Sequence, residues 1–83
     1  MVLVMAPLYD EVVDLARIYL GPAAKRFVDR QIKGHLEIDS VQLKLSDLDE
    51  LATWCYTSSK ILMNDGKARE FSDRVKALNS NNS

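Results

Sequence analysis

The stretch LGPAAKRFV, residues 20–28, sets the two strongest helix breakers side by side between two runs of helically spaced apolar residues. Gly21 is free to take the left-handed backbone that closes a helix. Pro22 cannot continue that helix, yet its fixed φ suits the first turn of a new one. The pair reads as a stop signal followed at once by a start signal, and so as a helix corner. Ala23 and Ala24 are small enough to let two helices approach closely where they meet.

On the N-terminal side of the corner, Pro7 opens a run in which Leu8, Val12, Leu15, Ala16 and Tyr19 recur at helical spacing, with Asp10, Glu11, Asp14 and Arg17 between them. On the C-terminal side, Ala23, Ala24, Phe27, Val28 and Ile32 occupy one half of a second predicted helix. Arg26, Arg30 and Lys33 share the opposite side. Gly34 weakens this helix, and residues 37–45 are expected to form a connector anchored by Ile38, Val41, Leu43 and Leu45. The alternation VQLKL at residues 41–45 imitates a strand, but no second strand offers itself as a partner, and an isolated strand has little to stabilise it.

Ser46 followed three residues later by Asp49 resembles a capping box, and Asp47, Asp49 and Glu50 suit the positive end of a helix dipole. A third helix is therefore expected here, with Leu48, Leu51, Ala52, Cys55, Ser59, Leu62 and Met63 on its core side. Trp54 and Ile61 sit seven apart on a neighbouring ridge. The NDG turn signal at 64–66 precedes a fourth helix, capped by Asp65 and lined by Ala68, Phe71, Val75 and Leu78. Residues 79–83, NSNNS, have nothing to bury and are expected to fray. The predicted fold is all-α: a compact four-helix bundle with short connections, one domain over residues 1–78 and a disordered tail at 79–83.

A chain of 83 residues has room for one core, and only about 60% of its unfolded surface is removed from water on folding. Its 47% hydrophobic against 28% charged residues is the composition of a folding domain rather than a disordered one. A formal net charge of −1 provides no general field toward nucleic acid or an anionic membrane. The apolar start at residues 1–6 is halted by Pro7, too soon for a signal peptide or membrane span. It is expected either to lie on the core as an arm or to capture a second subunit.

The single cysteine, Cys55, excludes an intrachain disulfide, fits a reducing cytoplasmic setting, and is either a small buried hydrophobe or a reactive thiol. His35, the one histidine, suits the negative end of the second helix. With one His and one Cys, neither a nucleophilic triad nor a histidine-rich metal site can be assembled within one subunit. The acids Asp47, Asp49 and Glu50 fit a helix start as well as they would fit a hard cation. The isolated glycines form no phosphate-cradling loop. No enzyme activity, cofactor, metal or small-molecule substrate is expected.

Two surfaces remain as candidates. The stripe of Arg26, Arg30 and Lys33 presents three cations to one side, as a solvated face, a contact for an acidic protein surface, or a phosphate contact for nucleic acid. Asp29 interrupts it and is placed to pair with Lys33 or Arg26. Trp54 and Ile61, with Tyr56 nearby, are either core filler or an exposed aromatic anchor of the kind that dominates association energetics.

The segments LARIYLGPAAKRFVDRQIKGHL, LSDLDELATW and AREFSDRVKAL resemble a small helical domain found attached to prokaryotic serine/threonine kinases, response regulators and nucleotide cyclases. The correspondence runs through Leu15, Gly21, Pro22 and Ala24, then Leu48, Leu51 and Ala52, then Arg69 and Phe71, over about three quarters of the chain. The resemblance implies no catalytic residues. It implies a protein-interaction or oligomerisation adaptor in prokaryotic signal transduction. The expectation from sequence is thus a cytoplasmic, non-enzymatic module that binds protein, first of all itself as a homodimer, through Trp54, Ile61 and Tyr56. The alternative is a small nucleic-acid-binding module using Arg26, Arg30 and Lys33.

Overall fold

Gly21 has φ of +59° in the computed structural model, which describes residues 7–39 and 42–81. That left-handed residue ends helix α1, Pro7–Leu20, and a single 3-10 turn, Gly21–Ala23, leads straight into α2, Ala24–Gln31. No non-helical residue separates the two, so they form one long helix bent at the glycine. The bend is where the sequence puts it. Ala24 lies fully buried inside the corner, whereas Ala23 is exposed on its outer side, so only one of the two small residues serves the close approach.

Gly34 does not end the second limb. The helix continues as one wide turn, Ile32–Leu36, and closes at Glu37, whose backbone is left-handed with φ of 60°. A wide turn carries more residues per revolution than an α-helix, so side chains beyond Ile32 fall off the line set by the preceding turns. The connector holds a 3-10 turn, Leu45–Asp47, and no strand occurs among the described residues. Leu43 is buried and Leu45 half-buried, as anchors should be; Val41 lies outside the described residues.

Helix α3 spans Leu48–Ser59 and α4 spans Asp65–Asn81. Both start differently from expectation. No side chain caps α3 itself: the Asp47 carboxylate accepts the Lys44 backbone N–H at 3.1 Å at the start of the 3-10 turn that leads into the helix, and Ser46 is exposed. At α4 the cap is Asn64, whose Oδ1 accepts the Lys67 N–H at 2.8 Å, leaving Asp65 as the first helical residue. The expected N-terminal arm at residues 1–6 lies outside the described residues, as do the last two of the tail.

The bent helix, α3 and α4 make a compact all-α arrangement of three helical bodies among the described residues. The radius of gyration is 12.0 Å, close to the roughly 12 Å of a packed chain of this length. Phe71 fills the centre, fully buried, with its ring centroid 5.2 Å from Tyr19 and 6.1 Å from Phe27. Val12 and Ala16 of α1, Val28 and Ile32 of the second limb, Leu48, Leu51, Ala52 and Cys55 of α3 and Val75 of α4 close around it. Tyr9 and Val13 join this core from α1, where the helical spacing pointed to Leu8 and Leu15; both of those are half-buried.

Polar side chains tie the bodies at the edges of this core. Ser72 donates to the Ala52 carbonyl at 2.8 Å, joining α4 to α3 where both are buried. Ser58 donates to the buried Gln31 at 3.0 Å, joining α3 to α2. The Tyr19 hydroxyl donates to Glu70 at 2.7 Å and accepts from Arg74 at 3.2 Å, so α1 is held to α4 by one oxygen. Tyr9 donates to Asp29, clamping α1 to α2.

Candidate functional site

Helix α3 ends at Ser59, which determines where the hydrophobic residues after it go. Lys60 to Met63 form the turn into α4, closed by Leu62 and Met63 N–H groups bonding back to the Ser59 carbonyl at 2.8 and 2.9 Å. Leu62 and Met63, expected on the core side of a longer helix, leave the core here: Leu62 is 63% exposed and Met63 half-buried. Ile61 is 84% exposed. An apolar helix face continued past the end of its helix is thereby turned outward.

The turn forms one wall of a groove of about 370 Å³, whose other wall is α2. Ala23, Phe27, Ile61 and Leu62 supply its apolar lining. Arg26 and Arg30, four apart and both exposed, stand on its rim, with Gln31 and Ser58 at one end. The structure therefore brings two of the three basic candidates together with one of the three apolar candidates.

The third cation is elsewhere. Lys33 stands in the wide turn and lines a separate polar cleft with Tyr9, Lys25, Asp29 and Ile32. Asp29 does not bridge to Lys33 or Arg26, the partners expected from spacing. It pairs with Lys25 at 3.2 Å and accepts from Tyr9. Among the described residues Arg26 and Arg30 have no ion-pair or hydrogen-bond partner, whereas Arg17, Lys25, Lys44 and Arg69 are each paired with a carboxylate within 4 Å.

Trp54 does not share the groove. It is half-buried, and the His35 ring covers it in a stack with centroids 3.8 Å apart and planes 7° from parallel. Tyr56 is committed too: its hydroxyl donates to Asp65 at 2.5 Å, and Lys60 and Arg69 lie 5.2 and 5.5 Å from its ring. That hydrogen bond lowers the Asp65 carboxyl below its ordinary value and raises the Tyr56 hydroxyl. A second apolar spot lies across the same turn, where Ile18, 67% exposed, shares a shallow cleft with Met63 and Tyr19.

Cys55 is fully buried, and burial pushes its thiol up to about 12. At neutral pH it is a protonated small hydrophobe, the inert form of the residue. Among the described residues no three of His, Cys, Asp and Glu converge as a metal site, and no helix is long and apolar enough to cross a membrane. The groove offers desolvatable apolar area flanked by two guanidinium groups that have no carboxylate partner among the described residues and can take carboxylates in bidentate fashion.

No known family model, no curated protein and no solved structure matches this chain.

Proposed function

We propose that the chain is a non-enzymatic protein-interaction or oligomerisation adaptor, a cytoplasmic four-helix bundle, if the two limbs of the bent helix are counted separately, acting in prokaryotic signal transduction. Its first partner is a second copy of itself. The observation that carries this reading is the exposure of Ile61 and Leu62 side by side at 84% and 63%. Water gains nothing from two large aliphatic side chains on a tight turn, and burying them against a partner removes that cost. The signalling setting rests on the resemblance carried by Gly21, Pro22 and the LxxLA pattern of α3.

Sedimentation equilibrium tests the reading. Wild type is expected to exceed its monomer mass of 9.4 kDa as concentration rises. An Ile61→Ala, Leu62→Ala variant is expected to remain monomeric, and Trp54→Ala to associate nearly as wild type, since His35 already covers that ring. A wild type that stays monomeric at high micromolar concentration contradicts the reading.

A nucleic-acid-binding module is the second reading, favoured by the unpaired state of Arg26 and Arg30 among the described residues. It requires measurable binding to random duplex at low salt that falls steeply as salt is added. Absence of binding at low salt removes it.

A further inference from the structure

The exposed large hydrophobics among the described residues, Ile18, Ile61 and Leu62, lie on two surfaces, one beside two arginines and one in line with two aspartates. Ile61 and Leu62 border the groove with Arg26 and Arg30. Ile18 stands on the outer ridge of α1, where Asp10, Asp14 and Ile18 follow one another at four-residue spacing and are all exposed. Side chains four apart on a helix sit about 5–6 Å from each other, so the two carboxylates on α1 have the same spacing as the two guanidinium groups on α2.

The order of groups along the two surfaces matches as well. Ser58 meets Gln31 at one end of the groove, so the chain beyond Ser59 lies toward the Ala23 end. Read from Ala23, the groove is apolar first, then Arg26, then Arg30. Read from its C-terminal end, the α1 ridge is Ile18, then Asp14, then Asp10.

We propose that the α1 ridge of one copy docks antiparallel into the α2–turn groove of a second copy, head to tail. Asp14 faces Arg26, Asp10 faces Arg30, and Ile18 seats against Ile61 and Ala23. This rests on the self-association reading above and specifies its geometry. A two-fold contact of groove on groove is disfavoured, because it would set Arg26 and Arg30 against their own copies. Asp14 already pairs with Arg17 at 2.9 Å, but both side chains are largely exposed, and such a pair is worth little and is readily exchanged. Each head-to-tail contact leaves one ridge and one groove free, so assembly continues beyond the dimer into rings or open chains.

Charge exchange between the two surfaces tests the contact by sedimentation velocity. Wild type is expected to form species larger than a dimer as concentration rises, weakening with salt. Arg26→Glu with Arg30→Glu, and separately Asp10→Arg with Asp14→Arg, are each expected to associate at least about tenfold more weakly than wild type. The neutral pair Arg26→Gln with Arg30→Gln should lose association without any reversal of charge. Mixing the two reversed variants is expected to restore assembly, which also shows that both are folded. A monomeric wild type overturns this inference together with the self-association reading. A wild type that assembles while the reversed variants assemble equally well, or whose reversed variants remain monomeric on mixing, overturns the head-to-tail contact alone.

Discussion

The imidazole of His35 lies flat on the indole of Trp54, with centroids 3.8 Å apart and planes within 7° of parallel. The two residues come from the wide turn that ends the bent helix and from the middle of α3, so the stack fastens one body to another. It also takes one face of the indole away from any partner.

Removing the cover should be visible in Trp54 itself. His35→Ala is expected to shift the tryptophan emission to longer wavelength as water reaches the ring. An aromatic pair is worth about 1 kcal/mol beyond its area, and a loss of that order in unfolding free energy should accompany the shift. An unchanged spectrum would mean the stack is not populated in solution.

The corner should be sensitive to backbone conformation and indifferent to volume. A Cβ placed on Gly21 meets nothing within 4 Å, yet φ there is +59°. An L-residue held left-handed costs roughly 1–2 kcal/mol, more when branched at Cβ. Gly21→Val is expected to lower the unfolding midpoint clearly, and Gly21→Asn to lower it less, since Asn tolerates that region. Equal effects of the two would point to a steric cause instead.

Cys55 sets an expectation for alkaline solution. Its thiol is raised from 9.0 to about 12 by burial, and burial together with a carboxylate acceptor raises the Tyr9 and Tyr19 hydroxyls in the same direction. A group raised on folding contributes stability that is complete below its unfolded value and is lost as pH climbs toward the folded one. The unfolding midpoint is therefore expected to hold to about pH 9 and fall above it. Alkylation of Cys55 at neutral pH should proceed only as fast as the chain unfolds; rapid labelling of the folded protein would contradict its burial.

At the acid end the relevant contact is Tyr56 with Asp65. The hydroxyl lowers the carboxyl below its ordinary 3.8, so its contribution is present above that value and lost as pH falls through the lowered one. Both groups face solvent, and the effect is small. Tyr56→Phe is expected to return the Asp65 titration, followed by NMR, to the ordinary carboxylate range, and no movement of that titration would exclude the hydrogen bond.

The helical faces were legible in the sequence because burial on a helix repeats with the helix. Leu48, Leu51, Ala52, Cys55 and Ser59 are buried as their spacing predicts, and so are Ala68, Phe71 and Val75. The corner at Gly21 was legible for a different reason, since few residue pairs combine a left-handed stop with a fixed-φ start. The end of α3 was not. Leu62 and Met63 continue the apolar period past Ser59, and an apolar period does not reveal whether the backbone remains helical. The spacing leaves Ile61 open between core filler and exposed anchor, and its place beside Arg26 and Arg30 links residues some thirty positions apart, which no local pattern encodes. Regular α-helical geometry groups Lys33 with those arginines, but the wide turn from Ile32 takes it into another cleft.

The proposed self-association runs through the groove between α2 and the α3–α4 turn. Its most direct test is a dilution series followed by backbone amide NMR. Concentration-dependent shifts are predicted for Arg26, Arg30, Ile61 and Leu62 and for the α1 ridge around Asp14 and Ile18, with Trp54 and His35 nearly unmoved. A spectrum that does not change with concentration, or changes centred on any other surface, contradicts it.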